Sequence, residues 1–487
     1  MNPTISKFLS LAILMCLSII ILMQDPFAPF ANKTASYDPG VFTYSAKEMI
    51  RGGLIYKDFF DHKGPVLYLL NVIGLILLGG DLTGIWLVDL VCLATATFFL
   101  YKSAELFASK FVALLAVVYT LFLSAVLEPG NGTQFFALPF ICISLFLFLK
   151  SFVEEGDFKK IDLMVVAGSF ALTFLLQPYL VTLWCAFGAV TITLRLYEKN
   201  YRYLLRNFLV IIAVIAITLI PFLIYALDHQ LLSDAISCFW TFNRAYSHPS
   251  FGTVAEGAYY TLINIEKGHA VIPVAFYLGY LALHFKEIDN KRVHAGIVLS
   301  LFLTLFIGCS LSGLNYPHYS IILLPLICVI VVFCLEYLRQ RHSVTNSLLL
   351  FIFAIFSWRL VAIQICNTHN AYKPDERLNA LVKFIQKNTD KNDRIAIVGN
   401  DSQLYYLADR KSSSRFHYTS PIFAVTGFNI DIAKQYLDDL HRNSPKLIAV
   451  KTVDYLQQPA FINKFLSDGY KLLPFEDATV NIYLRNR

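Results

Sequence analysis

The side chains best suited to chemistry are concentrated near the N-terminus. Between Lys33 and Lys63, within NKTASYDPGVFTYSAKEMIRGGLIYKDFFDHKGP, nine charged residues are interleaved with aromatic ones. Asp38 stands just ahead of Val41–Ile50, a stretch with helical spacing that ends at Gly52-Gly53. A second acidic knot follows, running Asp58, Phe59, Phe60, Asp61, His62 and Lys63 before Gly64-Pro65. Carboxylates can accept a proton, and Lys or His can hold an anion, so the segment carries parts for acid–base work beside an anionic group. Each part also has a plainer reading. Asp38 at a helix start is a good cap for free backbone N–H groups. Asp58 and Asp61 can pair with Lys57 and Lys63, which would fix the loop and, if exposed, contribute about 0–1 kcal/mol each.

Fewer candidates lie elsewhere. Glu128 sits in LEPGNG, Arg244 in WTFNRAYSHP, and Tyr316 and His318 in YPHY. For His318 two roles compete, hydrogen bonding among interfacial aromatics and contact with a phosphate. Gln177-Pro178-Tyr179 reads most simply as a turn. Asp89 lies inside an apolar run, about 10 Å from its start at 1.5 Å per residue. A carboxylate there is costly and faces a cavity or a partner.

The elements that must position these groups belong to a membrane protein. Of 487 residues, 56% are hydrophobic and 15% charged, with a mean hydropathy of +0.57, whereas a soluble chain carries about 25% charged residues. The balance of 40 basic to 34 acidic residues gives only +6 and is scattered, which argues against a nucleic-acid partner. The nine cysteines form no CxxC pair and lie mostly in apolar runs, as small hydrophobes do, so neither a metal cluster nor a disulfide scaffold is expected.

A spanning helix needs roughly 20 apolar residues. Eleven candidates lie near 8–23, 82–100, 111–127, 134–150, 161–176, 179–195, 208–226, 270–286, 294–310, 320–337 and 345–365. The first reads as a retained signal-anchor. Val66–Gly80 is 15 residues long, short for a span and suited to an interfacial helix. With that helix kept outside, fifteen basic residues fall in cytoplasmic segments, while the outer loops after the first hold only Arg244 and Lys267. The positive-inside rule then places the N-terminus in the cytoplasm and the tail outside. The organisation expected is a polytopic α-helical domain over 1–366, with its first outer loop at 24–81, and an extracytoplasmic α/β domain over 367–487. In that tail the predicted elements are helices over 375–389, Ser402–Ala408, Ile430–Arg442 and Ala460–Ser467. Strands are predicted at Arg394–Val398, Arg415–Tyr418, Lys446–Val450 and around Ile482–Leu484. Such alternation implies a small parallel or mixed sheet.

An acidic residue in the loop after the first span, a short helix ending in Gly-Gly, then Y-x-D-F-F-D-H-K-G-P before an apolar helix, resembles the first extracytoplasmic loop of GT-C glycosyltransferases. The likeness is strongest to bacterial protein mannosyltransferases and aminoarabinose transferases, which use polyprenyl-phosphate-linked sugars. Tyr316-Pro317-His318-Tyr319 with Pro325 and the outward α/β domain extend it. The resemblance implies a catalytic acid at Asp38 and a second carboxylate on the next outer loop, where Glu128 falls. It departs at Pro39, where many relatives carry a second acidic residue.

Transfer of a sugar from a polyprenyl phosphate displaces a phosphate at the anomeric carbon through an oxocarbenium-like transition state. The acceptor hydroxyl must lose a proton, which assigns Asp38 as general base. The departing phosphate needs cations or donors, for which Lys63, His62, Arg244 and His318 are candidates. Alternatively, Asp38 and Glu128 hold a divalent cation against the phosphate. The function expected is therefore an inverting, membrane-embedded transferase acting on a cell-envelope glycan, lipid or protein. The readings that compete with it are a transporter or flippase of lipid-linked glycans, and an inactive envelope scaffold.

Overall fold

A computed structural model describes residues 3–32, 37–155, 157–247, 249–340, 344–420, 422–425, 428, 431–451 and 460–486. Each of the eleven apolar runs lies on a helix, from Pro3–Leu22 through Thr83–Glu105 to Val344–Ala371. Six helical stretches among the described residues are long and apolar enough to cross a membrane: Thr83–Glu105, Thr133–Val153, Pro178–Tyr197, Tyr201–Asp228, Lys291–Cys309 and Pro317–Gln340. Their burial separates two roles. Tyr201–Asp228 is the most apolar and buries none of its core window, whereas Pro317–Gln340 buries 78% of its own. Leu205, Phe208, Leu209, Ile217 and Ile224 of the first helix are all more than half exposed. An apolar surface of that extent requires lipid as its solvent, while Pro317–Gln340 is a central helix packed by protein.

The chain forms two compact units. The first comprises 1–28, 86–221 and 248–371, and holds most of the spans. The second comprises 29–85, 222–247 and 372–487. It therefore joins the first loop, a short helical stretch around Phe242 and the C-terminal domain in one body.

In the second unit, the C-terminal segment folds as a five-stranded mixed sheet of order β2-β1-β3-β5-β4. Its strands are β1 (Arg394–Val398), β2 (Lys411–Ser412), β3 (Leu447–Lys451), β4 (Tyr470–Leu473) and β5 (Val480–Arg485). β1 pairs parallel with β2 and β3, and β5 pairs antiparallel with β3 and β4. Capping by Asp375, which accepts from Leu378 N at 2.9 Å, starts the helix Glu376–Asn388; Asp431 does the same for Ile432–Asn443 through Lys434 N at 2.9 Å. The strand expected at Arg415–Tyr418 is absent. Those residues run without regular structure, because their backbone bonds leave the sheet: Arg415 O accepts from Phe60 N at 2.8 Å.

The loop contributes helices Asp38–Ile50 and Pro65–Leu77. The second, of 13 residues, spans about 20 Å at 1.5 Å per residue, well short of the hydrocarbon thickness. Tyr44 from the first enters the sheet-domain core with Ile385, Ile395, Ile397, Tyr405, Leu447 and Ile482. Its hydroxyl accepts from Ser412 N at 2.8 Å, and Lys47 pairs with Asp409 at 2.8 Å. Gly74 marks where the second helix touches the start of the next. A Cβ there would come within 2.7 Å of the Ile85 Cα. Gly74→Ala is accordingly expected to destabilise the protein by about 1–3 kcal/mol, read as a lower melting temperature in detergent; an unchanged melt would show that this contact yields freely.

Candidate active site

Asp38 does not cap. It is the first residue of its helix, the cap position falls to Tyr37, and among the described residues no side-chain cap hydrogen bond is made there. Pro39 follows and removes one of those donors. Tyr37 adopts φ 58°, ψ −136°, a conformation that L residues rarely hold and that concentrates where a neighbour's placement matters. Asp38 is half-buried, and its charge acts on both His62 and Tyr418.

The two acidic residues of the knot part company. Asp58 is exposed and its Oδ2 accepts from Leu54 N at 2.8 Å, closing a turn. Asp61 is 1% exposed. Neither makes an ion pair within 4 Å with Lys57 or Lys63 among the described residues, so the ion-pair reading of both is corrected. Asp61 instead lies at the end of a buried chain. Lys63 Nζ donates to His62 Nε2 at 3.1 Å, His62 Nδ1 lies 3.3 Å from Asp61 Oδ1, and the Tyr418 hydroxyl donates to the same oxygen at 3.1 Å. Tyr56 OH holds Lys63 O at 2.8 Å and Asn243 Nδ2 holds His62 O at 2.7 Å, so the turn's backbone is pinned from two sides.

Burial opposes the Asp61 charge, but the His62 hydrogen bond, the Lys63 ammonium and the Tyr68 hydroxyl outweigh it and hold the carboxyl well below its usual range. Burial and the Lys63 charge lower His62, leaving the ring neutral. With Lys63 donating to Nε2, the ring proton belongs on Nδ1, facing Asp61.

His417, next to Tyr418, is fully enclosed between Ser402 Oγ at 2.9 Å and Ser45 Oγ at 3.4 Å. Burial brings its pKa down from 6.5 to about 4. The unfolded ring therefore takes up a proton first as pH falls. The stability this residue contributes is complete above pH 6.5 and is lost toward pH 4, by up to roughly 3 kcal/mol; the depressed Asp61 adds to the loss on further acidification. Melting temperatures of the full-length protein should fall between pH 7 and 4.5, and His417→Gln should flatten that slope; parallel slopes would exclude His417 as the cause. Arg244 is exposed and lies in the same unit, without an ion pair among the described residues.

The first unit holds the remaining candidates. Glu128 is on a turn at φ 55° and its Oε2 lies 3.6 Å from His318 Nδ1. His318 stacks on Tyr316 with ring centroids 5.5 Å apart and meets Tyr319 edge-on at 5.0 Å. Gln177 and Tyr179 do more than turn the chain. Gln177 Oε1 accepts from Thr133 Oγ1 at 2.7 Å and Tyr179 OH at 3.0 Å, and Gln134 Nε2 donates to Tyr179 OH at 2.7 Å. Asp89 is completely buried, and among the described residues neither of its oxygens has a well-formed hydrogen bond, although the Asn131 backbone N–H lies on it. Close by is Asp25, an acid that sequence reasoning passed over. It is buried, accepts from Phe27 N at 2.7 Å, and packs so tightly on Gly130 that a Cβ there would overlap its Oδ2. Among the described residues no three His, Cys, Asp or Glu side chains gather as a metal-ligand group.

Sequence reasoning also missed Tyr418, Asn243 and Tyr56. The only local signal was the run Arg415-Phe-His-Tyr418, which its alternation disguised as a strand.

The comparisons agree on architecture. The sequence matches the family described as "Putative competence-induced protein Ccs4 N-terminal domain" over residues 2–353, and its C-terminal counterpart over 375–485. No curated protein matches it by sequence. Among solved structures, ArnT from Cupriavidus metallidurans bound to undecaprenyl phosphate superposes with a TM-score of 0.66 at 11% identity, covering 99% of this chain and 98% of that one. The archaeal oligosaccharyltransferase AglB from Archaeoglobus fulgidus gives 0.59 at 11% identity, over 92% of this chain and 70% of that one. At such identities the likeness is one of fold, and the fold is that of the GT-C membrane proteins, completed by a C-terminal α/β domain.

Proposed function

The chain belongs to the Ccs4 competence-induced protein family, and on that premise we propose that it is a multi-pass membrane glycosyltransferase using a polyprenyl-phosphate-linked sugar. The observation that carries this reading is the second unit, where a half-buried carboxylate, Asp38, acts electrostatically on a buried Asp61–His62–Lys63 chain. A proton acceptor and a cation are the two groups that displacement of a phosphate by a hydroxyl demands. The acceptor oxygen attacks the anomeric carbon as the bond to the phosphate oxygen breaks. The acceptor's proton passes to Asp38, the phosphate leaves carrying the bonding pair beside Lys63, and attack opposite the leaving group inverts the anomeric centre. The sugar is a hexose or pentose, and the acceptor a cell-envelope glycan, lipid or protein. Charge sorting supports an extracytoplasmic site with the N-terminus in the cytoplasm. The GT-C fold, shared with ArnT bound to undecaprenyl phosphate, supports the donor class.

The test is reconstitution of the purified protein with radiolabelled polyprenyl-phosphate sugars and a panel of acceptors. Transfer of label sustains the reading; labelled donor that crosses the bilayer unreacted would replace it with a flippase. Activity lost to a chelator and restored by one cation would transfer the role of Asp38 and Glu128 to metal binding.

A further inference from the structure

We propose that Tyr418 is a positioning residue for the Lys63 ammonium, acting through Asp61 and His62, so that the C-terminal α/β domain sets how tightly the site grips the donor's phosphate. The inference rests on the proposed function for the identity of the ligand, but its geometry is independent of it. Lys63 has three N–H donors. One is committed to His62 Nε2 at 3.1 Å, which leaves two for an anion. That commitment requires an unprotonated Nε2, because an imidazole with its proton there would meet the ammonium donor to donor. The proton is kept on Nδ1 by Asp61 Oδ1, 3.3 Å away. Asp61 Oδ1 is itself fixed by the Tyr418 hydroxyl at 3.1 Å and the His62 backbone N–H at 2.6 Å. The Tyr418 hydroxyl also lies 3.4 Å from His62 Nδ1, so control runs from Tyr418 to the ring both directly and through Asp61, and from the ring to Lys63.

Tyr418 is a firm starting point for that chain. It is buried in a segment without regular structure, yet its neighbours are anchored to the sheet domain. Thr419 N donates to Gly399 O at 2.9 Å, Gly399 N donates to Thr419 Oγ1 at 2.8 Å, and the His417 ring is held by Ser402 Oγ at 2.9 Å. Upstream, Phe60 N donates to Arg415 O at 2.8 Å and the Arg415 guanidinium donates to Tyr56 O. The domain thus grips the knot on both sides of the residue whose hydroxyl reaches Asp61. A tyrosine placed only to fill space would not need this; Tyr436, also buried in the same domain, has a hydroxyl with no hydrogen-bond partner among the described residues.

The experiment uses the full-length protein in lipid nanodiscs with ring-15N histidine, undecaprenyl phosphate as the probe, and five variants. The His62 resonance is identified by its loss in His62→Gln. In wild type it should report a neutral ring protonated on Nδ1. Tyr418→Phe should mix the tautomers and weaken undecaprenyl phosphate binding by about 10-fold, the effect of one charge-assisted hydrogen bond. Tyr436→Phe should change neither. Asp61→Asn, which leaves the domain untouched, should weaken binding at least as much and covers the case in which Tyr418→Phe does not fold. If Tyr418→Phe and Asp61→Asn bind like wild type with an unaltered ring while Lys63→Gln binds weakly, the positioning role is refuted and the phosphate reading stands. If Lys63→Gln also binds like wild type, the phosphate reading fails and this proposal with it.

Discussion

Asp38→Asn is expected to lower sugar transfer by roughly 10²–10⁴-fold, the ordinary contribution of a general base, while leaving the fold and donor affinity nearly intact. The amide keeps the shape of the side chain and loses the basic lone pair. The stability cost should be small, within about 0.5 kcal/mol, because among the described residues no side-chain cap is made at this helix start and only the favourable position of Asp38 there is lost. Single-turnover rates in proteoliposomes separate these effects, since chemistry is then read without product release. Asp38→Glu should recover part of the rate, its carboxylate being displaced by one methylene and so imperfectly placed. An Asp38→Asn protein that transfers at the wild-type rate would remove Asp38 from the reaction. One that melts many degrees lower would return it to a structural role.

How much of this was readable beforehand depended on how far apart in the chain the deciding groups lie. Apolar runs reveal helices because lipid and protein cores both demand closed backbone hydrogen bonding, and this demand is local; all eleven runs accordingly fall on helices. The loop helix ending at Gly52-Gly53 was equally local. Asp58 and Asp61, in contrast, look alike three residues apart, yet one is exposed and the other sealed in. The difference is made by Tyr418, 357 residues downstream of Asp61, and no spacing rule reaches that far. The same distance concealed Arg415–Tyr418, whose Arg-Phe-His-Tyr alternation mimics a strand although its backbone bonds to the loop. Asp25 was overlooked for the opposite reason. Its place at the end of a span suggests a solvated headgroup position, and only the packing of Gly130 over its carboxylate marks it as enclosed.

Lys63→Gln should be nearly as damaging to transfer as Asp38→Asn, with a different signature. Lys63 is 6% exposed, and an ammonium is not left in so enclosed a place without anions to face. Asp61 supplies one charge, relayed through His62. If the departing phosphate is the second, neutralising Lys63 removes stabilisation that grows as negative charge develops on the leaving oxygen, a loss of about 10²–10³ in rate. Unlike Asp38→Asn, this variant should also bind donor more weakly and melt at a lower temperature, because Asp61 would remain buried without the Lys63 charge that acts on it from beyond ion-pair distance. Lys63→Arg tests geometry rather than charge. A planar guanidinium cannot place one N–H on His62 Nε2 and keep its other donors where a compact ammonium holds them, so it should restore stability before it restores rate. Full activity in Lys63→Arg would mean that charge alone suffices, and that the ordered chain from Tyr418 to the ammonium serves the fold and not the reaction.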